Sequence, residues 1–195
     1  MKKLLLPIVI YCLSGATQAQ TSISYETQPF LTGLTHGLRL DYSMNEDLNL
    51  FIRGGVNYTN RWDWGKKDEE IGSGSGLGLG YELKNNRVEN LTLIVRADFW
   101  FMEIEWTQYI TSEEIDRICR NIPPGLCDPA FSRSGITKTN VFQPTIGIAY
   151  KLPIVGAFFV NTSINLGREF NFNTRGEQVH QGAILLGGIQ VGYEF

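Results

Sequence analysis

The chain has 195 residues with 17 Lys and Arg against 20 Asp and Glu, a formal net charge of −3. That balance argues against nucleic acid as a partner, because polyphosphate chains call for a basic surface. No run of about 18 apolar residues follows the first twenty positions, so transmembrane helices are excluded, but membrane-crossing strands, which need only about 9–11 residues each, are not.

The chain opens with "MKKLLLPIVIYCLSGATQAQ". Lys2 and Lys3 form a basic start, Leu4 to Leu13 an apolar stretch, and Thr17 and Ala19 place small residues at −3 and −1 of a cleavage site. This pattern predicts a secretory signal over 1–19 and a mature domain over 20–195. Loss of Lys2 and Lys3 takes the net charge from −3 to −5. Of three cysteines, Cys119 and Cys127 then remain, and an even count in an exported chain predicts a disulfide across "CRNIPPGLC". No His or further Cys lies near enough to suggest a metal site there.

After the signal, "SISYETQ" (22–28) alternates Ile23, Tyr25 and Thr27. "LTHGLRLDY" (34–42) puts Leu34, Leu38, Leu40 and Tyr42 on even positions and Arg39 and Asp41 on odd ones. Asn45-Glu46-Asp47 is a short turn, and "LNLFIRGGVNY" (48–58) again places its apolar residues on even numbers, opposite Arg53. Period two is the signature of a strand with two unlike faces. "IGSGSGLGLGYEL" (71–83) keeps that period with Leu77, Leu79, Tyr81 and Leu83 on one parity and five glycines, Gly72 to Gly80, on the other. Neither a dinucleotide fingerprint nor a P-loop fits that spacing. The run predicts a strand with one face stripped of side chains.

"LTLIVRADFWF" (91–101), "FQPTIGIAYKL" (142–152) and "FFVNTSINLG" (158–167) follow the same rule, and 182–195 ends it with Ile189, Val191, Tyr193 and Phe195 on one parity. Three longer connections, 59–70, 103–140 and 168–180, separate these segments from short turns at Lys84–Arg87 and Pro153–Gly156. Within 103–140, "MEIEWTQY" (102–109) still alternates, which predicts an extension pairing with 136–142; Thr111 and Glu114 have the spacing of a helix capping box. Trp62, Trp64 and Trp106 read either as recognition anchors or as residues of an interfacial aromatic belt.

The terminal Phe195 on an amphipathic strand, with Tyr193 on the same face, resembles the assembly signal of bacterial outer-membrane β-barrels. Together with the export signal and the parity pattern, the chain resembles the small barrels of the OmpA membrane-domain and OmpX type, a porin-like family. The resemblance implies an all-β, transmembrane, antiparallel up-and-down barrel of eight strands, monomeric, reached through the periplasm and the barrel-assembly machinery and embedded among outer-membrane lipid and lipopolysaccharide. With 182–195 running down to the periplasm, Tyr42, Tyr81, Tyr150 and Tyr193 fall near the inner ends of four strands on the apolar parity, the place of an aromatic girdle.

The other parity collects Arg39, Arg53, Arg96 and Lys151 against Asp41, Glu82, Asp98 and Glu194. An eight-stranded barrel is just wide enough for side chains to fill, so these charges predict a paired lumen network and a plugged interior. The function expected is structural or surface-interacting, through extracellular loops 59–70 and 103–140, with no cofactor. Two alternatives stand beside it. One is a narrow pore for very small solutes. The other is a lipid-modifying enzyme built on His36, although no Ser follows His36 or His180 by two residues as in lipid A deacylases. A soluble lipocalin-like barrel, with the apolar parity inside around a ligand, would leave the glycine face bare on the outside.

Overall fold

The computed structural model describes residues 20–62, 69–84, 87–123, 132–179 and 181–195. The expected signal over 1–19, Trp64, Cys127 and His180 lie outside the described residues. The strands in chain order are β1 (Thr21–Phe30), β2 (Gly33–Ser43), β3 (Leu48–Trp62), β4 (Glu69–Lys84), β5 (Leu91–Tyr109), β6 (Ser132–Pro153), β7 (Phe158–Arg168), β8 (Phe170–Arg175) and β9 (Ala183–Glu194), with helix α1 (Ser112–Cys119) between β5 and β6.

Each strand pairs antiparallel with a neighbour in the ring, and β1 pairs with β9, so the sheet closes. Among the described residues, nine strands form a ring of eight because β7 and β8 are two pieces of one stave. Both pair with β6 in a single register: Thr145 faces Gly167, and after the break Phe142 faces Phe170. The break falls opposite Pro144, which has no N–H to give to a ladder. Higher up, the pairs Asn140–Phe172 and Lys138–Arg175 are out of step by one residue. Asn173, at φ 55°, supplies the left-handed residue of that bulge, a conformation Asn tolerates.

The stagger of the ring can be followed residue by residue. Gln20 bonds to Ser43, and the register then runs Asn49, Glu82, Ile94, Gly147, Asn165, Leu186 and back to β1 at Phe30, ten positions beyond Gln20. Eight strands with a shear of ten tilt by about 40° and enclose a bore that side chains can fill.

Short connections sit at one end. Asn45 caps the first with its side chain, accepting from Asp47 N at 3.0 Å and Leu48 N at 2.8 Å. Asn90 (φ 64°) and Gly156 (φ 61°) take the left-handed positions of the other two. At the opposite end the strands overrun the loops expected there. β3 and β4 pair out to Trp62–Glu69, so 59–62 and 69–70 are strand. Residues 102–109 pair with 132–139, four places beyond the expected partner 136–142. Within the loop expected over 103–140, residues 103–109 and 132–140 are the arms of a β-hairpin, and 168–180 holds β8. Thr111 caps α1 through a complete capping box: Glu114 N donates to Thr111 Oγ1 at 3.4 Å, and Thr111 N donates to the Glu114 carboxylate at 3.1 Å.

The two faces of the sheet are unlike. The outward face is apolar: Leu38, Leu40, Ile52, Leu77, Leu79, Ile146, Ile148, Ile164, Leu166, Ile189 and Val191 are all exposed. The inward face buries Glu26, Arg39, Arg53, Glu82, Arg96, Asp98 and Gln143 beside Phe51, Trp100 and Leu186. A water-soluble protein does the reverse. On β5 the outward apolar run stops between Phe101 and Glu103, and Glu103 pairs with Lys138 of β6 at 2.8 Å. The hairpin above that line stands clear of the apolar band.

Candidate functional site

The glycines of β4 open the lumen to its largest side chains. A Cβ on Gly76 would lie 2.6 Å from the Trp100 ring, one on Gly80 would lie 2.5 Å from Phe51, and one on Gly78 would meet Asp98 and Arg53. In the register Gly37, Gly55 and Gly76 form an unbroken row that ends at Trp100. Trp100 is only 1% exposed, and its Nε1 donates to Gln143 at 2.7 Å.

The eight charges expected in the lumen all face inward, in three groups rather than one. At the short-turn end Lys151 pairs with Glu194, with its ammonium 4.5 Å from the centre of the Phe159 ring. Above it Arg39 holds both Asp41 and Glu82 at 2.5 Å, its guanidinium stacked 3.7 Å from the centre of Phe51. At mid-height Arg96 meets Asp98 at 2.9 Å, and Arg53 meets it at 3.5 Å. This last group is completed by a residue outside the expected set. Glu26 lies 3.4 Å from Arg53 and 3.5 Å from Arg96, and accepts from Gln28 Nε2 at 2.5 Å. Two arginines and two carboxylates thus balance in the middle of the bore.

A fourth group lies higher still and was also missed. Glu169 pairs with Arg61 and accepts from Gln143 at 2.6 Å. The signal for Glu26 was present in parity: with Ile23, Tyr25 and Thr27 outward, Glu26 must be inward. The signal for Glu169 was the same alternation, carried past Gly167 into residues treated as loop.

The long-loop end of the bore also holds an apolar cluster. Trp100, Met102, Ile104, Val141 and Val179 pack together, with Trp106 against them. Val179 arrives from the segment between β8 and β9, which is tied down by Thr137 Oγ1 donating to the Glu177 carbonyl (2.9 Å) and by Asn171 Nδ2 donating to the Val179 carbonyl (3.2 Å). Trp106 therefore belongs to the interior and not to an outward belt, and Gly135 opposite it leaves room for the indole.

On the outer face, Tyr42, Tyr81, Tyr150 and Tyr193 stand near the short-turn ends of β2, β4, β6 and β9. Tyr193 packs edge-on against Phe158 and Phe195 at 5.0 and 5.2 Å between ring centres. Phe195 N also donates to the Thr21 carbonyl at 2.9 Å, fastening the chain end to β1. His36 faces outward too. Its Nδ1 is 2.9 Å from the Tyr25 hydroxyl, and its ring meets Tyr58 edge-on at 5.7 Å. Among the described residues, no Ser or carboxylate hydrogen-bonds to this pair. Cys119 closes α1, while Cys127 lies outside the described residues.

Solved structures match this closed antiparallel eight-stranded ring. A major outer membrane protein from Thermus thermophilus aligns over 91% of this chain and 99% of its own, with a TM-score of 0.54 at 12% identity. The fold is that of the small outer-membrane β-barrels. Two further barrels align over comparable lengths with lower scores. Ail of Yersinia pestis, solved with the heparin analogue sucrose octasulfate, gives 0.48 at 10% identity over 91% of this chain and 97% of its own. The N-terminal barrel of Pseudomonas aeruginosa OprF gives 0.45 at 14% over 90% and 97%. No family model and no curated protein matches the sequence.

Proposed function

We propose that the protein is an outer-membrane barrel whose bore is closed to solutes and whose work is done by the structure it raises above the membrane. The observation that carries this reading is the filled cross-section at mid-height, where Glu26, Arg53, Arg96 and Asp98 pair across the lumen directly beneath Trp100. Moving a hydrated solute through would break pairs that are costly to separate in a low-dielectric bore. The apolar group around Val179 adds a second barrier. Buried atoms of the layer that have no hydrogen-bond partner in the protein, such as Arg53 Nη2 and Asp98 Oδ1, support a hydrated interior, not a dry one.

In this reading the apolar exterior spans the lipid, the tyrosines near the short-turn ends form the inner girdle, and the β5–β6 hairpin with α1 projects outward as an interaction surface. The segment 1–19 acts as the export signal, and Cys119–Cys127 as a disulfide that pins α1 to the hairpin tip. Planar-bilayer recording of the purified barrel tests the closed bore: the expected result is no steady conductance, and regular unitary steps with the intact protein would establish the narrow-pore alternative instead.

A further inference from the structure

The outward face of the sheet turns polar where β4, β5, β6 and β8 reach the upper limit of the apolar band. A cavity of about 500 Å³ opens to the exterior there. The register brings two outward rows together around it. The lower row runs Ser75, Phe101, Asn140 and Phe172, and the upper row runs Ser73, Glu103, Lys138 and Arg175. Phe99, one step below, gathers the rings of Phe101, Phe142 and Phe172 at 6.2, 6.1 and 5.0 Å between centres.

The last cation of the upper row is placed by the β8 bulge. Asn140 faces Phe172, so an unbroken ladder would set Thr174 opposite Lys138 and turn Arg175 into the bore. The extra residue at Asn173 reverses that. Thr174 turns inward, where its hydroxyl meets Thr139 Oγ1 at 2.9 Å, and Arg175 comes to lie beside Lys138 on the outer face. Glu103 pairs with Lys138, while Arg175 makes no ion pair among the described residues, so two cations stand against one carboxylate. Ser73, Ser75, Asn140 and Asn173 have no side-chain hydrogen bond among the described residues. Hydrocarbon offers such groups no partner.

We infer that this face binds a phosphorylated glycolipid of the outer leaflet. Lys138 and Arg175 hold a phosphate, Ser73, Ser75 and Asn140 bond the sugar hydroxyls and amides, and the acyl chains lie over the rings around Phe99. The inference rests on the barrel reading above, which turns this face to lipid and the long-loop end to the exterior. Lys and Arg are the side chains suited to phosphate. A glycerophospholipid would supply the phosphate but would leave the neutral polar groups, spread from β4 to β8, largely unmatched.

Titration calorimetry of the full chain, folded in detergent and checked by its unboiled gel mobility, tests this with diphosphoryl lipid A and with phosphatidylglycerol, each in mixed micelles at the same ionic strength. The expected result is saturable lipid A binding, about tenfold tighter than phosphatidylglycerol. Lys138→Gln with Arg175→Gln removes two charge-assisted contacts and should lower the lipid A affinity about tenfold. Both side chains are exposed, so the variant should fold. Asn140→Leu should weaken lipid A and leave phosphatidylglycerol unchanged. Arg117→Gln with Arg120→Gln removes the same charge at α1, away from the rows, and should leave the affinity as it was. No saturable binding, phosphatidylglycerol bound as tightly as lipid A, or an equal loss from the α1 variant would each overturn the site while leaving the barrel standing. A chain that never shows folded mobility would remove the barrel and the site with it.

Discussion

Gly76 and Glu26 mark what single residues do in this bore. Gly76 exists so that Trp100 can lie flat against the sheet; a Cβ there would stand 2.6 Å from the indole, and the neighbouring Phe99 carbonyl is closer still. Gly76→Leu is therefore expected to block folding, because neither backbone nor a 1%-exposed Trp can give way. Refolding into lipid vesicles, followed by unboiled gel mobility, checks it; a normal yield of folded band would show that the row of glycines is not needed for space. Glu26 balances two guanidinium groups. Glu26→Gln leaves Arg53 and Arg96 sharing Asp98, and removing one partner from a buried ion group costs about 3–5 kcal/mol. A urea titration in vesicles should show the midpoint fall accordingly, and an unchanged midpoint would mean the pairs are interchangeable with water. At this scale the glycines were legible because their period of two is independent of context. Glu26 was not singled out, because its strand is short and its alternation weak. Trp106 was misplaced, because a Trp near a loop reads the same whether it faces lipid, solvent or a plugged mouth.

Among the elements, the hairpin of β5 and β6 departs furthest from expectation. Alternation in "MEIEWTQY" signalled the extension, but register with 132–139 depends on where the return strand begins, and "SRSGITKTN" carries too few apolar residues to show it. The β7–β8 break was hidden for a similar reason. It is imposed from across the sheet, by Pro144 on β6, and nothing local to Arg168 or Glu169 reveals it. Helix α1, in contrast, is a local decision of Thr111 and Glu114, and so could be read. If Cys119 and Cys127 are joined across the hairpin tip, one tryptic cut after Arg120 in the intact barrel leaves two fragments that stay together until reduced. Non-reducing and reducing gels of the clipped protein should then differ, and identical patterns would rule the bridge out.

The whole molecule is defined by inversion: apolar outside, charged inside, closed by a stagger of ten that no single strand encodes. Facing could be read from parity, because each strand repeats the same two-faced pattern; the count of eight came from the resemblance to closed barrels with an even number of strands, and shear could not be read, because it is the sum of eight registers set by turn lengths and bulges. The bore's charged groups were visible as an inward set, but their division into separate layers follows from that stagger, which brings Glu26 level with Arg53 and Arg96. The same inversion means that this chain cannot be stable in water with Leu77 at 70% and Leu79 at 65% exposure unless lipid covers them. Fractionation of expressing cells, with the outer-membrane fraction run boiled and unboiled side by side, bears on that most directly. A membrane barrel should be found in the outer-membrane fraction as a fast-migrating band that shifts to the unfolded position on boiling. A protein recovered in the soluble periplasmic fraction, with mobility indifferent to heat, would contradict the inside-out barrel and everything built on it.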